Sequence, residues 1–214
     1  MVSKPVIIIG AGGHARVLIS SLKSLQREIV GILSPGTELI GRIVAGIRIL
    51  GNDDKINDYA PDSVELVNGL GSVTLPEKRQ DIYVKFKQNG YSFANVFHPS
   101  SVIVDNVQLG EGVQVMAGAI IQTGCVIGDN AIINTGAVVE HDCIIGAHVH
   151  VAPGAVLSGG VSIGAMTHIG TAAAIIQGVK IGMSVVVGAG AVVVNDVLAG
   201  KKIAGNPAKT LNSA

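Results

Sequence analysis

The chain has 214 residues, 48% of them hydrophobic, and its 15 basic and 15 acidic side chains leave no net charge. That balance, with no run of like charges, argues against a nucleic-acid or membrane-surface partner. Gly, Asn, Asp and His interrupt each apolar stretch before it reaches the roughly twenty residues a bilayer span needs. No basic region with an apolar leader opens the chain, so a cytoplasmic protein is expected.

Val6-Ile7-Ile8-Ile9 is a short apolar run that ends at Gly10-Ala11-Gly12-Gly13-His14-Ala15, after which Val17, Leu18 and Leu22 fall at helical spacing. The pattern predicts a strand, a tight glycine turn and a helix. Gly10-x-Gly12-x-x-Ala15 matches the fingerprint whose backbone N–H groups and helix N-terminus hold a phosphate, although a turn that merely packs helix on strand would read the same. A second strand is predicted over Ile29–Leu33. A dinucleotide reader would carry an acidic residue at its end to hold a ribose, but Ser34-Pro35 stands there, which favours a phosphate-bearing ligand other than NAD. A third strand is predicted over Val64–Val67, ahead of Gly69 and Gly71. Thr74-Leu75-Pro76-Glu77 reads as a capping box that starts a helix ending near Asn89-Gly90, and Tyr91–Phe97 reads as a strand. Strands alternating with helices imply a small Rossmann-like parallel α/β domain.

All six aromatic residues lie between Tyr59 and Phe97, all five arginines lie before position 80, and residues 101–198 hold only seven charged side chains. This break near His98-Pro99 divides the chain into residues 1–97 and 98–214. From Ile103 an aliphatic residue then returns every six positions, through Leu109, Val115 and Ile121 to Val193, sixteen in succession. The residue two places before each is small or β-branched. A period of six is a short strand plus a turn, repeated, which is the pattern of a parallel β-helix. Three hexads make a triangular coil of about eighteen residues, its faces parallel sheets stacked at roughly 4.8 Å, with about five coils in all. The tail, with Lys201, Lys202 and Lys209 around Gly205-Asn206-Pro207, would cap the open end of the coils. Cys125 and Cys143 share an inward position eighteen residues apart and should stack as buried free thiols, because a disulfide needs converging Cβ vectors.

With an aliphatic interior, chemistry has to lie at outward positions. Glu140-His141-Asp142 sets an imidazole between two carboxylates on an otherwise uncharged wall and is the candidate acid–base centre. His150 and His168, eighteen apart, should stack on neighbouring coils. His141 and His150 differ by nine, half a coil, so a site using both would lie between subunits, and a trimer suits a three-sided prism. His148 reads as a solvated corner residue. Three histidines at a subunit interface could also hold zinc, as in a hydratase, but their spacing gives no such set. The threonines form no continuous row of the kind an ice-binding face needs.

The Gly10–His14 turn, His98-Pro99-Ser100, the run Asn134-Thr135-Gly136-Ala137-Val138-Val139-Glu140-His141-Asp142-Cys143 and the closing Gly205-Asn206-Pro207-Ala208-Lys209 together resemble the bacterial hexapeptide-repeat sugar acyltransferases over nearly the whole chain. That family includes N-acetyltransferases of nucleotide-linked 4-amino sugars and sialic-acid O-acetyltransferase relatives. The resemblance implies a left-handed β-helix, whereas the usual crossover rule would favour the other hand. It also implies a homotrimer and transfer of an acetyl group from acetyl-CoA to a sugar amine or hydroxyl; no metal is expected. By motif it implies His141 as general base and Asp142 as the carboxylate that raises its basicity. His150, Thr171 and Ala189 would line the acetyl-CoA groove, and Gly12, Gly13, His14 and Gly71 would hold the nucleotide sugar. Backbone N–H groups around Gly159 are candidates for stabilising the oxyanion. Family members acting on UDP-sugars carry paired aspartates where Ser34 and Pro35 stand, which leaves Ser34 as the hydrogen-bonding group there. Two alternatives are an O-acetyltransferase acting on a sialic-acid-like sugar and a non-catalytic β-helix protein that binds nucleotide sugars.

Overall fold

The computed structural model describes residues 3–211, in which a five-stranded sheet with two helices leads into a three-sided prism of stacked coils. The strands β1 (Val6–Ile9), β2 (Ile29–Leu33), β3 (Ile43–Val44), β4 (Ile47–Gly51) and β5 (Glu65–Asn68) lie in the order β3-β4-β2-β1-β5. All pairings are parallel except the β3–β4 hairpin. Every residue of β1 is buried, as expected for a central strand covered on both faces. Helix α1 (Gly13–Ser24) packs Ala15, Leu18, Ile19 and Leu22 on one face of the sheet. Helix α2 (Glu77–Gln88) packs Tyr83 and Phe86 on the other.

Three local features differ from the sequence reading. The hairpin of β3 and β4 had no sequence signal, because its turn places Ala45 (φ 49°) beside Gly46 (φ 85°) in left-handed conformations that alanine rarely adopts. Helix α2 begins at Glu77 with Pro76 as its cap and no side-chain capping bond, so Thr74 lies too far upstream to close a capping box. The span predicted as one strand, Tyr91–Phe97, is divided between the two halves of the molecule. Ser92 O and Ala94 N pair briefly with Leu66 of β5, whereas β6 (Val96–Phe97) joins the prism.

From β6 onward, two-residue strands recur every six positions, and each pairs in parallel with the strand eighteen residues later: Ile120–Ile121 with Val138–Val139, Val126–Ile127 with Ile144–Ile145, Ile132–Ile133 with His150–Val151. The three faces hold six, five and eight strands, and the third gains Lys202–Ala204 and Lys209–Thr210 from the tail. The aliphatic column and the small-residue column two places ahead of it form one continuous core. Fully burying a Val, Ile or Leu side chain contributes roughly 1.5–3 kcal/mol, so this column is the main source of stability in this half. Cys125 and Cys143 are buried in it as free thiols.

Each of the three corners needs a left-handed residue in every coil. One corner column runs Asn106, Gly124, Asp142, Gly160, Gly178, with φ of 65°, 75°, 60°, 68° and 73°. Glycine meets that requirement without strain, and each non-glycine residue there is held by the coils around it. A second glycine demand arises from coil stacking. A Cβ on Gly146 would lie 2.6 Å from the Ala165 backbone nitrogen of the next coil, and one on Gly128 would lie 2.6 Å from that of Ala147.

The two halves share packing. Met116 and Val96 of the prism lie in the same buried cluster as α1. Glu111 receives hydrogen bonds from Lys87 Nζ at 2.8 and 2.9 Å and from the Phe93 backbone N–H at 2.7 Å. Gly146→Ala is expected to destabilise the fold by about 1–3 kcal/mol through overpacking. Gly154→Ala, whose added methyl would meet nothing within 4 Å, should cost less despite its φ of 66°. Urea-unfolding midpoints of the two variants against the parent check the order.

Candidate active site

A cleft of about 790 Å³ opens where the loops after β1 and β5 face the eight-stranded side of the prism. The α/β half contributes Gly13, His14, Gly71 and Ser72, and the prism contributes Asn134, His150, His168, Thr171 and Ala189. Among the described residues, no Lys, Arg, Asp or Glu lines it. The glycine turn serves this geometry: Gly10 has φ 100°, and a Cβ there would lie 2.7 Å from Leu70 Cδ1. The chain thereby reverses tightly and presents Gly13 and His14 to the cleft.

His14 is held from beneath by a buried polar hub. Its Nε2 lies 2.7 Å from Gln114 Oε1, while Gln114 Nε2 donates to the Asn68 carbonyl at 2.8 Å. That second bond fixes which end of the amide faces the ring. His14 therefore carries its proton on Nε2 and leaves Nδ1 as an acceptor. Arg79, from α2, is fully buried and donates to the carbonyls of Asn68 (2.9 Å), Leu70 (2.7 Å) and Asn130 (3.1 Å). It ties the loop after β5 to a prism corner. Burial lowers the Arg79 pKa to about 9. Burial first, and the Arg79 cation second, hold His14 down to about 4 against the raising effect of its bond to Gln114.

His150 and His168 stack edge to face with ring centroids 5.0 Å apart. Ser72 Oγ lies 2.9 Å from His150 Nδ1 and 3.3 Å from His168 Nδ1, and Asn134 Nδ2 lies 3.0 Å from His150 Nε2. Burial drives the His150 pKa down to about 2, with electrostatic repulsion from the His168, His14 and Arg79 side chains adding to it, and burial also lowers His168. Thr171 and Ala189, one coil apart, are exposed along the same cleft.

His141 and Asp142 lie elsewhere, on an exposed corner between the other two faces. His141 Nδ1 is 2.8 Å from Asp142 Oδ2, and both side chains are more than half exposed, at 52% and 71%. The neighbouring coils make room for this pair. Gly159 stands beside His141 with no side chain, where a Cβ would collide with Nε2, and a Cβ on Gly124 would lie 2.5 Å from Asp142 Oδ1. An imidazole whose Nδ1–H is held by a carboxylate presents its Nε2 lone pair as a base.

Of the residues singled out in the sequence, the cleft brings together Gly13, His14, Gly71, His150, Thr171 and Ala189 within one chain, while His141, Asp142 and Gly159 form a separate cluster. Gly12 is exposed at the cap of α1. Ser34 is buried at the end of β2, where its backbone N–H donates to the Gly51 carbonyl at 2.9 Å, and it does not line the cleft. His148 is a correction: it is buried rather than solvated, with Nδ1 2.9 Å from Asn130 Nδ2 and its ring edge-on to Tyr83. The helix α2 that covers this corner is the reason. Among the described residues, no three His, Cys, Asp or Glu side chains are grouped to hold a metal ion. Ser72, Gln114, Asn68 and Arg79 went unread in the sequence. The outward column Gln114, Ile132, His150, His168, each eighteen residues from the next, was the signal available for Gln114.

A coiled prism joined to a Rossmann-like domain, with an uncharged cleft between them and an exposed His–Asp pair on another corner, defines the class of β-helix acyltransferases. The comparisons agree. The bacterial transferase hexapeptide (six repeats) model matches residues 106–140 and 124–159, and the PglD N-terminal domain model matches residues 5–86. The acetyltransferase domain of PglB from Neisseria gonorrhoeae, solved with acetyl coenzyme A, is 34% identical, with 98% of this chain and 100% of that chain covered at a TM-score of 0.90. PerB from Caulobacter crescentus, solved with CoA and GDP-perosamine, is 40% identical, with 97% of each chain covered and a TM-score of 0.91. WeeI from Acinetobacter baumannii is 27% identical, with 98% of this chain and 100% of that chain covered and a TM-score of 0.86. No curated protein matches significantly. The chain belongs to the hexapeptide-repeat sugar acyltransferase family, and its prism is the left-handed β-helix of that family.

The depressed histidines carry a stability prediction. Their folded pKa values lie below the unfolded value of 6.5, so the unfolded chain takes up protons first as pH falls. Their contribution is complete above about pH 6.5 and declines toward pH 4, by at most about 1.4 kcal/mol per pH unit for each histidine. Urea unfolding at pH 7, 6, 5 and 4 should show this slope, and a His14→Gln, His150→Asn double variant should flatten it.

Proposed function

We propose that this protein transfers the acetyl group of acetyl-CoA to the amine of a nucleotide-linked amino sugar, in the cytoplasm, with each site shared between two subunits of a homotrimer. The observation that carries the reading is the division of the machinery. One chain holds an uncharged cleft with His14, His150, Thr171 and Ala189, and on a different corner, away from that cleft, an exposed His141–Asp142 pair. Rotation about a threefold axis would bring the pair of one subunit to the cleft of the next. The outward column on one face adjoining that corner supports this, because Val102, Ile120, Val138, Val156, Ala174 and Val192 are all apolar, with Val102 and Val156 exposed.

The residues fit the two ligands. The cleft has no charged lining, which suits the neutral arm of CoA along the column of Thr171 and Ala189. The glycine turn at Gly12, Gly13 and His14, with Gly71 facing it, suits the diphosphate and sugar. In this division of labour residues 1–97 select the nucleotide sugar and residues 98–214 hold the acyl donor. Ser34 and Pro35 in place of paired aspartates favour a base other than uracil, and the GDP-perosamine bound by a 40% identical protein agrees with a GDP-linked sugar.

In the reaction Asp142 accepts the Nδ1–H of His141 in a hydrogen bond and fixes the tautomer. His141 Nε2 takes a proton from the acceptor amine as the nitrogen adds to the thioester carbonyl. The C–S bond then breaks, the amide forms, and the thiolate leaves as the thiol once it gains a proton. Because His141 acts only by proton transfer, no covalent enzyme intermediate is required.

His141→Ala should lower the acetylation rate about 10²–10⁴-fold, the usual worth of a positioned base, with thiol release from acetyl-CoA as the readout. Near-parental activity across the pH range would overturn the assignment. Subunit sharing has its own test. Equal mixing of a His141→Ala chain with a chain blocked in the cleft by Ala189→Trp should restore about a quarter of parental activity in refolded trimers, because each such site needs one intact half from each variant. Thermal-shift measurements against GDP-, UDP-, CMP- and dTDP-linked amino sugars should give the largest stabilisation with the GDP-linked sugar.

A further inference from the structure

The hydrogen bonds around Ser72 have only one consistent direction. Asn134 Oδ1 accepts the Thr135 backbone N–H at 2.8 Å, so the other end of that amide, Nδ2, is the donor that meets His150 Nε2 at 3.0 Å. His150 must then carry its proton on Nδ1 and donate it to Ser72 Oγ at 2.9 Å. The Ser72 hydroxyl hydrogen is left with one acceptor within reach, His168 Nδ1 at 3.3 Å. That places the His168 proton on Nε2. Among the described residues, the only fully enclosed side-chain nitrogen or oxygen without a partner is Arg79 Nη2. Among the described residues, His168 Nε2 has no hydrogen-bond partner and is not fully enclosed, and His168 lines the cleft.

We propose that Ser72 is a positioning residue that sets the tautomers of His150 and His168, and that His168 thereby becomes a neutral hydrogen-bond donor to a carbonyl oxygen of the acyl donor. The proposal rests on the acetyl-CoA reading above. It also separates two histidines that look equivalent in the sequence. Both nitrogens of His150 are used within the protein, so its ring orients and supports, whereas His168 keeps a free N–H. The surroundings favour a carbonyl as the partner. The cleft holds no charged side chain, its wall at the next coil is Val186, and an N–H fixed in advance by a neutral relay suits an uncharged acceptor. The α/β half supplies Ser72 and the prism supplies both imidazoles, so the donor exists only when the two halves are docked. Arg79 secures that docking, because it donates to the Leu70 carbonyl two residues before Ser72.

The experiment has two parts, both on the full chain. Long-range proton–nitrogen correlation of the imidazoles should show His150 protonated on Nδ1 and His168 on Nε2 at neutral pH. Ser72→Ala should mix the His168 tautomers, and Ser72→Thr, which keeps the hydroxyl, should restore them. A His168 found on Nδ1 in the parent overturns the proposal whatever the activity. Kinetics follow with acetyl-CoA and a GDP-linked amino sugar. His168→Phe should weaken use of acetyl-CoA about five- to tenfold, the worth of one neutral hydrogen bond, and His168→Gln, which keeps an N–H near the Nε2 position, should recover most of it. A rise confined to KM assigns the bond to an amide of the pantetheine arm, and a fall in kcat assigns it to the thioester carbonyl. Unchanged constants in His168→Phe overturn the proposal. Calorimetry of the parent protein with CoA separates this from the broader reading: if the parent binds no CoA, it is the acyl-donor assignment that falls, and the tautomer assignment is judged by the correlation spectra alone.

Discussion

The register of eighteen residues between stacked coils is the constraint on which the rest of the structure depends. Backbone N–H groups of one coil donate to carbonyls of the next, as in Val102 to Ala119 and Gln108 to Cys125, both at 2.9 Å. Any drift would unpair every later coil, so the repeat admits no insertion inside the prism. The same ladder dictates the interior columns, the left-handed corner residues and the glycines that let backbones pass closely. It also places the candidate site residues. Residues eighteen apart share a column, which puts His150 over His168, Thr171 over Ala189, and the side-chain-free Gly159 over His141.

Two electrostatic environments result, and they suit different tasks. In the cleft, burial lowers the pKa of His14, His150 and His168, and the Arg79 cation adds to the effect at His14 and His150. A buried guanidinium without a carboxylate is costly, and here three carbonyls satisfy most of its donors. On the exposed corner, His141 has a carboxylate 2.8 Å away, and both side chains are more than half exposed. The proposed function links assembly to activity, because it draws each site from two chains.

The β-helix was legible because its period repeats sixteen times and each inward position tolerates only small or aliphatic residues, so local sequence and final packing carry the same information. The glycine turn and the Glu140-His141-Asp142 triplet were legible for a related reason: a tight reversal needs glycine, and an isolated ionisable cluster stands out on an uncharged wall. Segments that depend on the other half of the molecule were not. The hairpin at Ala45-Gly46, the late start of α2 and the divided Tyr91–Phe97 span are each settled by what they dock against.

By itself, then, the sequence determined the architecture, the columns and the residues capable of acid–base chemistry, because all of these follow from spacing along the chain. Only the tertiary structure decided that His14 sits on Gln114, that His148 is buried under α2 and that Ser72 bridges His150 and His168. Those contacts join positions 78 to 100 residues apart or across a domain junction, with partners at 2.7 to 3.3 Å. Spacing cannot report them, because they depend on how the Rossmann-like half docks on one face of the prism.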